Sequence, residues 1–347
     1  MKKLLKMLIL SVIIFVVMSN ITIYVFADNG SFIVMDIDSG RVLYDENSRA
    51  KRPIASLTKI LTCITAIENL DLKSTVEIER EWTGIEGSSI YLKEGERLTV
   101  EQLLYGLMLR SGNDAATAIC GYGNNTRKDF ISLMNKTAYK IGAHDSSFEN
   151  PHGLDSVKHF STAYDLALIS SYSMKNETFS RIVSTKKIEI GSDDNKRVLV
   201  NKNKLLTFYP YAKGIKTGYT KKSGRCLASA AQKNDMSLVC IVLNHSSTYE
   251  TTESLFEKCF AEYKNILLQA HDEPVAMYEK DGYALPCYIE QDAVYPLKDD
   301  EASSVNKKIL LTYNGGYPIK SGTEMGVIEF YLENQLLFTR KIYNIMS

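Results

Sequence analysis

Pro53-Ile54-Ala55-Ser56-Leu57-Thr58-Lys59 leads into a run in which Ile60, Leu61, Ile64 and Ile67 recur at helical spacing as far as Leu70. Ser56 and Lys59 stand three positions apart, so on a helix they share a face and Oγ can meet Nζ. A serine hydroxyl is a poor nucleophile until a neighbouring base takes its proton. Lysine can be that base where burial or another cation lowers its pKa. In the first turn, Ser56 also lies among backbone N–H groups that point toward incoming negative charge. Taken alone, the pattern is weak and more often marks an N-cap serine followed by a solvated lysine.

On the N-terminal side, 32–36 and 41–44 flank the turn Asp38-Ser39-Gly40 and read as a hairpin. On the C-terminal side, Thr99-x-x-Gln102 is a capping box before Leu103, Leu104, Leu107 and Met108. Further helices are expected near 113–122, 126–141, 161–172 and 251–268, and strands at 187–190, 197–200, 214–218, 226–231 and 237–243. Strands at both ends with helices between them imply a sheet whose edges come from distant parts of the chain. Past Asp272, short strand-like runs at 275–278, 309–313, 326–331 and 336–343 alternate with Gly- and Asn-rich turns, the texture of a small separate β domain.

Two more constellations carry chemistry. Ser111-Gly112-Asn113 follows the helix that ends near Arg110 and offers a proton-relaying hydroxyl and an orienting amide; as plain structure it reads as a helix C-cap and the next N-cap. Lys216-Thr217-Gly218 sits on an expected strand, where Lys216 and Gly218 share a face and Gly218 leaves room for a ligand backbone; as plain structure it reads equally as a strand running into a turn at Gly218. Serine-lysine at a helix start, S-x-N about fifty residues later and K-T-G about a hundred beyond form a known catalytic set.

With these segments the chain resembles the low-molecular-mass penicillin-binding proteins, the serine D,D-carboxypeptidases. Besides 53–59, the segments Gly106-Leu107-Met108-Leu109-Arg110-Ser111-Gly112-Asn113-Asp114-Ala115, Asn150-Pro151-His152-Gly153-Leu154 and Gly214-Ile215-Lys216-Thr217-Gly218-Tyr219-Thr220 carry the likeness, which spans about 31–263. The resemblance implies an α/β fold of α+β type: a β-lactamase/transpeptidase-like catalytic domain, an antiparallel sheet flanked by helices, then a small all-β domain. It implies removal of the terminal D-Ala from peptidoglycan stem peptides through an acyl-enzyme, with β-lactam antibiotics as covalent inhibitors. Ser56 would be the nucleophile, Lys59 its base and Ser111 a partner in proton transfer. Asn113, Lys216, Thr217, Gly218 and Tyr219 would bind substrate, with an oxyanion hole from the backbone N–H of Ser56 and Tyr219. The motif around His152 is expected to be architectural.

One departure from the family pattern stands out. Relatives usually carry an arginine after the final sheet strand to hold the substrate carboxylate, yet 244–252 contains none and Thr248 occupies that position. Arg225, on a neighbouring strand, is an alternative cation. A class A β-lactamase shares the three motifs but needs an E-x-x-x-N loop, which is not found between Asn113 and Lys216 in the expected context. A non-catalytic wall-binding protein would have no reason to keep Ser56, Lys59, Ser111 and Lys216 together, and a transpeptidase would be expected to carry a large N-terminal assembly domain.

Composition agrees with this reading. The 347 residues carry a formal net charge of zero, which gives no electrostatic basis for nucleic-acid binding. Lys2, Lys3 and Lys6 precede an apolar run from Met7, and Val25-Phe26-Ala27 resembles an export-peptidase site, so residues 1–27 read as a secretory leader. Asn20 disfavours the alternative, an uncleaved anchor. Export places the chain outside the cytoplasm, either secreted or associated with the outer face of the membrane or the cell wall. The expected domains are therefore 28–270, catalytic, and 273–347, the C-terminal β domain. The scattered cysteines, several in apolar stretches, are expected as buried free thiols, and neither a metal site nor a cofactor is indicated.

Overall fold

The computed structural model describes residues 30–344 apart from 123–126, 193–194 and 281. The leader expected at 1–27 lies outside them. Among the described residues the strands are β1 (Ser31–Asp36), β2 (Val42–Glu46), β3 (Thr75–Glu77), β4 (Arg97–Thr99), β5 (Lys187–Ile190), β6 (Arg197–Val200), β7 (Ala212–Thr220), β8 (Gly224–Lys233) and β9 (Met236–Leu243). The helices of this part are α1 (Thr58–Asn69), α2 (Val100–Leu109), α3 (Asn113–Tyr122), α4 (Arg127–Ile141), α5 (Ala163–Met174), α6 (Glu177–Ser184), α7 (Leu205–Phe208) and α8 (Thr248–Glu262).

A five-stranded antiparallel sheet in the order β2-β1-β9-β8-β7 joins the two ends of this region, as the distant strand signals imply. Strand periodicity divides its side chains between two cores. Ile33, Met35, Val239 and Ile241 face the large cluster that includes α1, α2 and α5, whereas Phe32, Val34, Leu238, Cys240 and Val242 face Leu255, Phe256 and Cys259 of α8. α1 is buried from Thr58 through Ala66, so polar Thr58, Lys59, Thr62 and Thr65 lie in the interior and need partners there. The capping box at α2 closes both ways: Gln102 N–H donates to Thr99 Oγ1 at 3.2 Å and Thr99 N–H to Gln102 Oε1 at 2.9 Å. All six cysteines are buried thiols outside any disulfide.

The helix expected over 251–268 begins at Thr248 and stops at Glu262, where extended Tyr263 donates its N–H to Cys259 O. The following residues form β10 (Lys264–Gln269), antiparallel to β13 (Ala293–Leu297). Local spacing cannot announce this strand, because its pairing partner lies well ahead in the chain and the run Ile266, Leu267, Leu268 suits helix and strand alike. The expected span 28–270 thus ends in a strand hydrogen-bonded to the later part.

That later part adds β11 (Ala276–Lys280), β12 (Tyr283–Ile289), the short α9 (Asp299–Ala302), β14 (Val305–Leu311), β15 (Glu324–Leu332) and β16 (Gln335–Tyr343). Its sheet has the order β11-β12-β16-β15-β14 over a core of its own around Cys287, Ile289, Met325, Ile328, Phe330 and Ile342. Arg41 joins the two parts. Its guanidinium donates to Pro296 O at 2.5 Å and Glu301 Oε1 at 2.6 Å, and lies 5.2 and 5.5 Å from the ring centres of Tyr263 and Tyr295. Charge-assisted bonds of this kind contribute roughly 1.5–3 kcal/mol. Arg41→Ala should therefore lower the urea unfolding free energy by about that amount, and limited proteolysis should cut near the junction at Tyr263 faster than in the parent chain.

Candidate active site

The sequence before α1 bends sharply. Ala55–Leu57 forms a 3-10 turn, and Ala55 takes a φ of +47°, a left-handed conformation that costs a non-glycine residue roughly 1–2 kcal/mol. A line of hydrogen bonds holds it. Glu149 N–H donates to His159 Nδ1 at 3.1 Å, which leaves Nε2–H to donate to Thr58 Oγ1 at 2.8 Å; the Thr58 hydroxyl then donates to Ala55 O at 2.9 Å. Burial holds His159 neutral by lowering its pKa to about 4. The Asn150–Gly153 segment closes over the same turn. Asn150 Oδ1 accepts from the N–H of His152 and of Gly153, and Gly153 at φ +87° passes so close that a Cβ there would overlap Ala55 O.

Ser56 emerges half-buried from this turn, and Lys59 lies fully buried beneath it. Lys59 Nζ is 3.0 Å from Ser56 Oγ, 2.7 Å from Asn113 Oδ1 and 2.6 Å from His152 O. The amide orientation of Asn113 follows from its other end, where Nδ2 donates to Glu86 O at 2.5 Å. Burial, then the nearby Lys216 and Lys202 charges, holds the Lys59 pKa well below the ordinary lysine value. Lys216 on β7 is also buried; burial and then Lys202 bring its pKa down to about 7. Its Nζ donates to Thr217 O at 2.8 Å. A Cβ added to Gly218 would stand 3.2 Å from Ser56 N, so the glycine lets β7 pass against the serine turn.

The other residues singled out by sequence are placed as follows. Ser111 is buried with φ +64°, and its side chain makes no hydrogen bond to Ser56, Lys59 or Lys216. Thr217 is half-buried, while Tyr219 is 65% exposed at the outer end of β7.

Comparison with known proteins gives the family. Residues 24–247 match the D-alanyl-D-alanine carboxypeptidase family, and residues 263–345 match the penicillin-binding protein 5 C-terminal domain. The chain belongs to the D-alanyl-D-alanine carboxypeptidase family. It is 30% identical over 320 residues to D-alanyl-D-alanine carboxypeptidase DacF of Bacillus subtilis, covering 88% of this chain and 82% of the relative. The crystal structure of the D-alanyl-D-alanine carboxypeptidase DacD from Francisella tularensis superposes with a TM-score of 0.71 at 25% identity, over 93% of this chain and 94% of that one. Penicillin binding protein 5 from Haemophilus influenzae shares the fold with a TM-score of 0.77 at 22% identity, over 92% and 97% of the two chains.

In this carboxypeptidase-family chain, three features of the cleft escape the sequence reading. Asp114, directly after Asn113, is a buried carboxylate that accepts from Ser89 Oγ at 2.5 Å and from the N–H groups of Ile90 and Leu92 at 3.1 Å, fixing the 86–92 loop beside Asn113. His152, in the motif expected to be architectural, also gives its carbonyl to Lys59. Lys202 lies in the polar turn after β6, donates from Nζ to Ser88 Oγ at 3.0 Å, and acts electrostatically on both Lys59 and Lys216. Only its flanking asparagines mark that turn in the sequence, since Asn201 Oδ1 accepts from Asn203 N–H and Asn203 Oδ1 from Leu205 N–H. Thr248 is buried in the first turn of α8, and Arg225 is exposed opposite Tyr219 in the β7–β8 ladder.

Gly153 allows a direct stability test. Both the left-handed φ and the overlap with Ala55 O oppose any side chain there. Gly153→Ala should lower the unfolding free energy by roughly 2–5 kcal/mol, combining backbone strain and overpacking, and urea titration of the two chains measures it.

Proposed function

We propose that this protein is a serine D-Ala-D-Ala carboxypeptidase that removes the terminal D-Ala from peptidoglycan stem peptides, working outside the cytoplasm through an acyl-enzyme on Ser56. The observation that carries the reading is the hydrogen-bond arithmetic at Lys59. Asn113 Oδ1 and His152 O are carbonyl oxygens and can only accept. A neutral amine has two N–H bonds, which satisfy them, and its lone pair is left for the Ser56 hydroxyl at 3.0 Å. Burial favours that neutral form. Lys59 thus acts as general base when Ser56 attacks the scissile carbonyl. The carbonyl oxygen develops negative charge toward the N–H groups of Ser56 and Tyr219, the terminal D-Ala leaves as the amine, and water then hydrolyses the ester.

β7 is the outer strand of its sheet, with no strand beyond it among the described residues, so the peptide can align along its edge. Asn113 holds the acyl-side amide, Ser111 passes the proton to the leaving nitrogen, and Gly218 allows the close approach. Lys216 and Thr217 meet the terminal carboxylate. With Thr248 in place of an arginine, Lys202 supplies the second cation. The catalytic and C-terminal parts divide after Tyr263, where the helix ends and the second sheet's chain begins.

β-Lactams present a strained amide to the same nucleophile, so intact mass should rise by one penicillin, and Ser56→Ala should abolish the adduct. Lys59→Arg cannot accept a proton and should slow acylation by at least ~10²-fold. An adduct that survives in Ser56→Ala, or unchanged acylation in Lys59→Arg, would remove the basis of this mechanism.

Lys216 gives a pH signature. Its depressed pKa of about 7 means that the free enzyme loses this charge as pH rises past neutrality, while the substrate carboxylate stays ionised. kcat/KM for a diacyl-D-Ala-D-Ala peptide reports free-enzyme ionisations, so it should fall above pH ~7. Lys202→Gln removes the charge that disfavours Lys216 protonation and should move that limb to higher pH. It also removes a carboxylate partner, and should lower the plateau by about ten- to hundredfold. A limb that stays put in Lys202→Gln would separate Lys202 from Lys216.

A further inference from the structure

The C-terminal sheet carries a group of tyrosines that the reaction does not use. Tyr283 opens β12, and Tyr317 lies in the loop between β14 and β15. Their rings are parallel, 3.9 Å between centroids and 6° between planes, and the residues are 51% and 50% exposed. The loop that presents Tyr317 is tied to the β11–β12 hairpin. Lys280 donates to Asn314 O at 2.7 Å and Gly315 O at 2.9 Å, and the Tyr278 hydroxyl to Gly315 O at 3.4 Å. Behind them, Tyr278 meets Tyr313 edge-on at 5.6 Å. Each ring covers one face of the other, and the fold holds the stacked, half-exposed pair in a fixed arrangement before any ligand arrives.

This arrangement favours one class of ligand. The C–H face of a pyranose packs against a flat aromatic face, and tyrosine adds a hydroxyl at the rim for sugar hydroxyl and acetamido groups. An anionic ligand meets one exposed lysine of the Tyr317 loop, Lys320, rather than a cluster, because Lys280 is committed to two backbone carbonyls. A membrane surface recruits proteins through an apolar face combined with available cations; here the large exposed hydrophobic side chains of the hairpin are Met277 and Tyr283, Lys280 is engaged, and Lys320 is the lysine of the Tyr317 loop, a small footing for such a surface. A glycan of N-acetylated amino sugars whose acid groups are blocked by attached peptides is neutral and presents such C–H faces.

We propose that Tyr283 and Tyr317 form a carbohydrate platform that holds the amino-sugar glycan bearing the stem peptides. This choice of ligand rests on the peptidase reading above, in which the substrate peptide is tethered to that polymer. A second foothold on the polymer raises the local concentration of peptide at the cleft without altering the chemistry there.

The test uses the full chain carrying Ser56→Ala and the soluble probe chitotetraose. Saturation transfer from tyrosine ring protons to sugar C–H protons should appear, with a saturable titration. Tyr283→Ala with Tyr317→Ala should weaken binding by about tenfold or more, as truncation of an aromatic anchor does. Tyr283→Phe with Tyr317→Phe keeps the rings and should retain binding. In the chain with Ser56 intact, penicillin acylation should be the same with and without the alanine pair, so a failure of the platform is read separately from a failure of the peptidase. Absence of transfer from the tyrosine rings overturns the proposal, as does equal binding by the alanine pair. Binding to phosphatidylglycerol vesicles that the alanine pair abolishes, without chitotetraose binding, would assign the tyrosines to a membrane instead.

Discussion

A primary amine buried completely beside a serine hydroxyl is the constraint around which the first domain is arranged. Taking an ammonium out of water costs several kcal/mol unless its partners compensate, and here the partners are carbonyl oxygens of Asn113 and His152 together with the Ser56 hydroxyl. No carboxylate contacts Nζ among these partners. A carboxylate there would have stabilised the ammonium form. Asp114, the nearby acid, instead turns its oxygens to Ser89 and to the N–H groups of the 90–92 loop. Burial and the neighbouring lysine charges thus disfavour the charged form of Lys59, Asp114 opposes them only in part, and that acid builds the wall of the cleft.

Both carbonyls come from segments that must themselves be fixed. Asn113 begins α3 and is anchored through Glu86 O, and the 86–92 loop depends on Asp114. His152 stands in a turn closed by Asn150 and pressed onto Ala55 by Gly153. The unfavourable φ at Ala55 is then held from both sides, by that turn and by the Glu149–His159–Thr58 line. Such strain persists only where the surroundings over-determine it. Here it aims Ser56 out of a fully buried helix start.

The parts legible in sequence are those encoded locally. Helical spacing after Pro53 finds α1, a capping box finds the start of α2, and strand alternation finds β7 to β9 and the hairpin at the N-terminus. Three short motifs bring out Ser56, Lys59, Asn113 and Lys216, which the fold gathers into one cleft. What escaped depends on distant partners. Residues 264–269 pair with 293–297, and no local pattern in Ile266-Leu267-Leu268 tells a helix from that strand. Lys202 sits in a turn whose asparagines are ordinary turn formers; its significance comes from Ser88 across the cleft, 114 positions away in sequence. The carbonyl of His152 carries no side-chain signature at all.

The departure at Thr248 then becomes an electrostatic question. An arginine fork at the cleft would add a permanent charge, whereas Lys202 contributes a charge that burial and Arg110 already disfavour. Lys202 makes the protonation of Lys216 harder, and both make that of Lys59 harder. On the proposed reading, a substrate carboxylate entering between Lys216 and Lys202 supplies the missing negative charge. It favours protonation of both cations that grip it, and it raises the proton affinity of Lys59 at the moment Ser56 must release its proton. On that reading, a free enzyme that disfavours the charge on its base, and a complex that makes the same base more willing to accept a proton, follow from one set of buried amines and one incoming anion.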